Sequence, residues 1–537
     1  MKRTSFLSIL LLIVSFTVTA QTYMNEWIDY SKRYYKFSIG SKGLYRITYE
    51  QLQSLGLNGT DASHFQIWRN GEEVPVYTTA SSGPLNTGDF IEFWGTGNDG
   101  KWENRLFLKP EFQINNEVSL FTDTASYFLT VNPSGRAKSL VSTTNNLPSL
   151  LPVEPYFMHR ALIANRSRIN PGFAGVVGQF VYSSSFDEGE GFSSNEIRPG
   201  TNYTNATITN INVAPGGPDA QFRFTASGTA LNTRSVRVFL NGTLITERDM
   251  NYFTSINDDN YVTVPLSVLQ ADTKLNFEVA NASAQSTDRM VVGVLELQYP
   301  RLFNFGAQSN FEFELPATAD GQHLVITNFN NGGVAPVIYD LTNRLRIVAD
   351  ISVAGQVRIV LPPSAQTRKL VLCSAATASV RTITGFTPID FVDYGISSNQ
   401  GDYLIISNPL IYVDLNGVNQ VEAYRNYRSS STGGGYNARI YDINQIIDQF
   451  GWGIKNNSIS IKNFLSYARQ NFQQKPRYCF ILGKGVNYSD FRTSESWSNI
   501  NRLNFVPTHG FPASDNLLAS DGVDVVPLTP IGRLNAV

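Results

Sequence analysis

The period of the hydrophobic pattern changes once along this chain, near residue 400, and that change rules out any single fold. Upstream, apolar and polar residues alternate, as in Tyr35-Lys36-Phe37-Ser38-Ile39 and Val236-Arg237-Val238-Phe239-Leu240. That is the signature of strands with one buried face. From Tyr403 onward, short unbroken apolar runs such as Tyr403-Leu404-Ile405-Ile406 alternate with segments of helical period. Such runs suit parallel strands buried on both faces, with helices as the cover. A β-rich front and an α/β end are therefore expected, in a chain of 537 residues that is too long for one hydrophobic core.

The front divides further. Residues 21–153 read as a β-rich domain, with Asn70-Gly71 as a hairpin turn. Thr48 to Leu55 reads as a short helix stopped by Gly56. Residues 154–202 read as a connection. Residues 203–302 carry about seven or eight short alternating strands, the count of a jelly roll or related β-sandwich. Residues 303–395 read as a small β domain. In the 396–537 part, helices are expected over Val418 to Tyr427, over Ile443 to Phe450 capped by Asp442, and after Ser458 as a cap. Ile461, Phe464, Leu465 and Ala468 fall on one face of that last helix.

The first twenty residues read as a secretory signal. Lys2 and Arg3 precede an apolar stretch from Phe6 to Val18, and Val18-Thr19-Ala20 provides small residues before Gln21, the expected mature start. No later stretch is long and apolar enough to span a bilayer. A net charge of -2 gives no electrostatic case for binding nucleic acid. The two cysteines, Cys373 and Cys479, each sit inside an apolar run and read as buried thiols. The six tryptophans spread without a visible cluster, so no sugar-stacking platform is read from them.

Few residues suggest chemistry. Asp187-Glu188-Gly189-Glu190 offers oxygen ligands of the kind calcium takes, but a short acidic cluster among glycines reads first as a solvated loop. Asp515, Asp521 and Asp524 are candidates for a pocket rim or a calcium site, and turn or capping roles explain them equally. Arg533, just after a strand, is expected to pair with one of these carboxylates. Of the four histidines, only His509 lies on a loop expected at the strand ends, and it reads as a plain loop residue. Cys479 lies inside a strand, the wrong setting for an exposed nucleophile.

Taken in order, Leu404-Ile405-Ile406-Ser407-Asn408, Ile440-Tyr441-Asp442-Ile443, Asp448-Gln449-Phe450-Gly451, Phe480-Ile481-Leu482-Gly483, Val506-Pro507-Thr508, Ser514-Asp515-Asn516 and Ile531-Gly532-Arg533-Leu534 resemble the opening half of a gingipain-type cysteine peptidase domain. Upstream, Gly43-Leu44-Tyr45-Arg46-Ile47, Leu120-Phe121-Thr122-Asp123-Thr124 and the 187–191 stretch resemble the β-rich part of PorU-type proteins, which act in type IX secretion in Bacteroidota. The resemblance implies the first half of a caspase-like α/β domain after β-rich domains. It also implies an exported cysteine peptidase or sortase that cleaves C-terminal sorting domains from secretion cargo through an acyl-enzyme. Its partners would be those protein substrates and other secretion components, at the periplasm, outer-membrane surface or exterior. No cofactor is required, and calcium is left open.

The family's ordered His-Gly and later Cys are not found, so no catalytic residue is assigned within this chain, which is expected to be inactive as a fragment. Gly483 is followed by Lys484-Gly485 where gingipains often carry an acidic residue, so Arg or Lys specificity is not implied. The competing reading is a non-catalytic surface binding or scaffold protein with a degenerate peptidase domain.

Overall fold

The computed structural model describes residues 22–270, 274–493, 497–521 and 525–537. The signal segment, the expected start at Gln21, and Asp524 lie outside the described residues. No described helix is long and apolar enough to cross a membrane.

Two sheets build the front. One has the order Thr387–Asp390, Arg33–Ile39, Ala125–Val131, Phe65–Arg69, Glu72–Glu73, and the other runs Val380–Thr382, Gly43–Thr48, Phe90–Gly95, Tyr77–Thr78. They enclose one core that includes Phe37, Ile47, Ile67, Phe93 and Leu129. Thr48 caps the Tyr49–Ser54 helix with a reciprocal Thr48–Gln51 capping box. Strands cross the boundaries read at 153 and 303. Thr387–Asp390 pairs with Arg33–Ile39, Val380–Thr382 runs parallel to Gly43–Thr48, and Val141–Thr143 runs parallel to Leu345–Val348. Short edge strands that return from far along the chain leave no local signal at either boundary.

The sandwich is present as two facing antiparallel sheets whose inward residues include Phe222, Phe224, Val236, Val238, Phe277, Val279, Leu295 and Leu297. Its boundary is wider than read. Phe157–Ala164, taken as part of a connection, pairs along its whole length with Met290–Arg301. Beyond it, Phe305 and Phe311 stack at 4.0 Å in the core of the third β region.

The α/β end has a four-stranded parallel sheet in the order Ala438–Asp442, Tyr403–Ser407, Tyr478–Leu482, Ile531–Leu534. Alternation along the central strand decides which helix covers which face. Leu404 and Ile406 pack against Ile443–Phe450 and Ile459–Asn471, whereas Tyr403 and Ile405 pack against Gln420–Ser429. Asp442 caps its helix through the Asn444 amide. Ser458 makes no capping hydrogen bond; Asn457 Oδ1 accepts the Ile459 amide instead, at 2.9 Å.

The front and the end are joined directly. Lys36 pairs with Asp448, Ser126 Oγ donates to the Gly453 carbonyl at 2.6 Å, and Arg492 donates to Asp123 at 2.9 Å. The tryptophans do cluster in part: Trp27 lies 5.9 Å from Trp68 beside Phe128 and Phe391, and Trp452 sits against the Gly71 turn.

Candidate functional site

In parallel α/β sheets, chemistry gathers where the strands end at their carboxyl termini. Here those ends converge on one side chain. Arg533 Nε and Nη2 each donate to a different oxygen of Asp515 at 2.7 Å. Nη1 donates to the carbonyls of Gly483 and Val506 at 2.8 Å, and Nη2 also donates to the Pro507 carbonyl at 3.0 Å. All five guanidinium donors are therefore used, and the side chain is only 8% exposed. The hub ties the end of the third strand, the 505–508 loop and the Asp515 turn into one piece. Thr508 Oγ1 adds a hydrogen bond to Asp515 at 3.2 Å.

The sequence requires this closeness at Gly483. Its φ is +143°, and a Cβ there would meet Val506 at 3.0 Å and Phe505 at 3.2 Å. The 505–506 backbone also donates to the Lys484 carbonyl, and Asn408 Nδ2 holds the Phe505 carbonyl at 3.0 Å.

The structure brings Arg533 and Asp515 together. It does not bring Asp521 to them. Asp521 lines a separate cavity of about 770 Å3 over the Ile459–Asn471 helix, with Lys462, Arg469 and His509.

Both thiols and His509 are buried. Cys479 is 2% exposed, packed against the helix-covered core, and burial pushes its thiol up to about 12. Cys373 is buried and pushed up as well, and both cysteines are free. His509 is not a plain loop residue but a buried one, 3% exposed, with its ring edge-on to Phe186 at 5.1 Å. Burial, with Lys462 nearby, pushes it down to about 3. Its Nδ1 faces Ser458 Oγ at 3.4 Å. At neutral pH a protonated thiol and a neutral imidazole inside packed cores do not make a nucleophile and its base.

The acidic 187–190 stretch is not a solvated loop. Asp187 accepts from the Ser183 hydroxyl at 2.6 Å, Glu188 accepts from the Ser255 amide at 2.8 Å, and the fully buried Glu190 accepts from the Tyr488 hydroxyl. The three carboxylates thus point to three different partners. Among the described residues, no group of three or more His, Cys, Asp or Glu is placed to hold a metal ion.

Sequence reasoning missed this junction. Tyr488, stacked on Phe186 at 5.8 Å, and Arg492 carry the α/β end onto the front, close to the buried Glu103. Only the acidic cluster itself was visible, since its partner Tyr488 lies about three hundred residues away.

Residues 396–537 match the sequence profile of peptidase family C25. The gingipain-type resemblance therefore holds for the α/β end. Over 96% of its length the chain is similar in fold to dimeric latent PorU from Porphyromonas gingivalis, with a TM-score of 0.60 and 14% identity. It covers 49% of that chain, so it spans about half the length of that relative. An insecticidal delta-endotoxin from Bacillus thuringiensis shares 11% identity over 33% of this chain and 28% of its own, at a TM-score of 0.17. A β-porphyranase of glycoside hydrolase family 86 from the human gut bacterium Bacteroides plebeius shares 11% identity over 50% of this chain and 35% of its own, at 0.15. Similarity at that level carries no argument. No curated protein sequence matches the chain.

Proposed function

We propose that this chain carries scaffold of an exported cysteine peptidase or sortase of the gingipain type. Its substrates would be type IX secretion cargo bearing C-terminal sorting domains. The observation that carries this reading is the match of residues 396–537 to peptidase family C25, on a parallel sheet whose carboxyl-end loops are pinned by Arg533.

In the proposed reaction a cysteine thiolate attacks the scissile carbonyl carbon, and the peptide C–N bond breaks. A histidine delivers the proton to the departing amine. The acyl-enzyme then passes its acyl group to water, giving hydrolysis, or to an amine, giving transpeptidation. The nucleophile and base of this reaction are not assigned to residues 1–537. What these residues contribute is the scaffold. Arg533 and Gly483 hold the strand-end loops in one geometry, which is the support a positioned catalytic group needs.

One observation favours the non-catalytic reading for the chain alone: the buried state of Cys479 and His509. A cleavage assay on a cargo C-terminal domain separates the two. The protein as purified from the cells that produce it is expected to cleave that domain, and the 537-residue chain expressed alone is expected not to. If no form cleaves, the binding or scaffold reading takes over.

A further inference from the structure

The helix Ile459–Asn471 has two faces with different tasks. Ile461, Phe464, Leu465 and Ala468 are buried against the sheet. The opposite stripe, with Lys462 and Arg469 seven residues apart, would ordinarily be solvated. Here it is roofed by Arg105 and Leu106 of the Lys101–Leu106 turn and by Thr22, so that it lines the cavity of about 770 Å3 instead. That size falls within the range of ligand sites.

Among the described residues that line the cavity, cations outnumber carboxylates. Arg105, Lys462 and Arg469 face a single described carboxylate, Asp521. Among the described residues, the Lys462 ammonium and the Arg105 guanidinium enter no ion pair. Arg105 lies over the Trp452 ring at 5.8 Å, and Arg469 donates to the Ala519 carbonyl at 3.3 Å. Desolvation destabilises the charged forms of Lys462 and Arg469, and Asp521 offsets this only in part. An incoming anion would relieve that cost.

The arrangement also selects the kind of anion. A phosphate site brings its donors to one point. Lys462 and Arg469 instead stand two helical turns apart, roughly 10 Å along the axis. A peptide in the extended polyproline II conformation has about three residues per turn and rises about 3.1 Å per residue, so side chains three positions apart lie on one side and match that span.

We propose that this cavity binds an extended acidic peptide segment, with two carboxylates three residues apart that pair with Lys462 and Arg469. The site stands on the cavity and its charges, independently of any catalytic reading.

The test is fluorescence anisotropy with the 537-residue chain and a labelled six-residue peptide carrying glutamate at its second and fifth positions. The matching peptide with lysine at those positions is the control. The acidic peptide is expected to bind and the basic one not to. Lys462→Met with Arg469→Met keeps the packed stems and removes the charges. It is expected to weaken binding by about tenfold or more. Asp521→Asn, which removes the competing carboxylate, is expected to tighten it and serves if the double variant does not fold. Equal binding of both peptides, failure of the acidic peptide to bind the folded chain, or indifference to these substitutions would overturn the proposal. Displacement of the peptide by inorganic phosphate at equal concentration would also overturn it, since the site would then read simple anions.

Discussion

Arg533 donates with every N–H it has, and its four acceptor groups, the Asp515 carboxylate and three carbonyls, are thereby held together. Arg533→Met leaves the Asp515 carboxylate and three carbonyls without their donor in a mostly buried setting. A loss on the order of 3–5 kcal/mol is expected, read as a lower urea midpoint. Arg533→Lys should recover less than half of it, because an ammonium cannot form the planar fork. If Arg533→Met unfolds like the parent chain, the hub has no structural role. The pairing of Arg533 with a carboxylate was legible in the sequence, because opposite charges near strand ends are visible there. The carbonyl contacts were not, because a backbone carbonyl has no sequence signature. Cys479 makes a second case. Its buried, proton-holding thiol should not react with a disulfide reagent until the chain is unfolded, as a native-state thiol titration would show. Fast reaction of one thiol in the folded chain would contradict the packing described above.

At the scale of elements, the junction between front and end contains acids that keep their protons. Burial pushes Glu103 up to about 8, against the lowering effects of the Leu120 amide, the Ser119 hydroxyl and Arg492. Glu190, beside Tyr488 and Asp187, is pushed well up by the same cause. The sign of the linkage follows. Between the ordinary value near 4.5 and about 8, the folded chain holds a proton on Glu103 that the unfolded chain has released. The contribution of Glu103 to stability must then fall as pH rises through that window. His509, pushed down to about 3, contributes the opposite slope below the ordinary imidazole value, so the test is a comparison: the thermal midpoint of Glu103→Gln is expected to rise relative to the parent chain as pH goes from about 5 to about 8. A difference between the two proteins that does not change with pH would contradict the assignment. This junction was illegible in the sequence because its partners are remote, whereas the Ile459–Asn471 helix was legible from its apolar stripe alone. Ser458 does hold the cap position, but the hydrogen bond that Asn457 Oδ1 accepts from the Ile459 amide was missed, because Ser458 is an equally good capping type one residue later.

On the scale of the whole molecule, the alternation of period separated the β-rich front from the α/β end because each pattern is local. The way the front closes was hidden, since the 380–390 strands return to complete sheets begun before residue 50. The front and end share ion pairs, aromatic packing and buried hydrogen bonds, so they are expected to unfold together. One calorimetric transition is the predicted result, and two well-separated ones would place the junction among weak contacts. Ile531–Leu534 is an edge strand among the described strands, and its Leu534 is 56% exposed. Concentration-dependent association that Leu534→Lys reduces is therefore expected in light scattering.

Residues 396–537, which match peptidase family C25, hold one cysteine, Cys479, and its burial argues against a nucleophilic role. Mass spectrometry of the natively folded 537-residue chain, after exposure to a thiol-directed peptidyl inhibitor, tests it most directly. The expected spectrum shows the unmodified mass. A single inhibitor adduct on Cys479, formed without unfolding, would contradict the account.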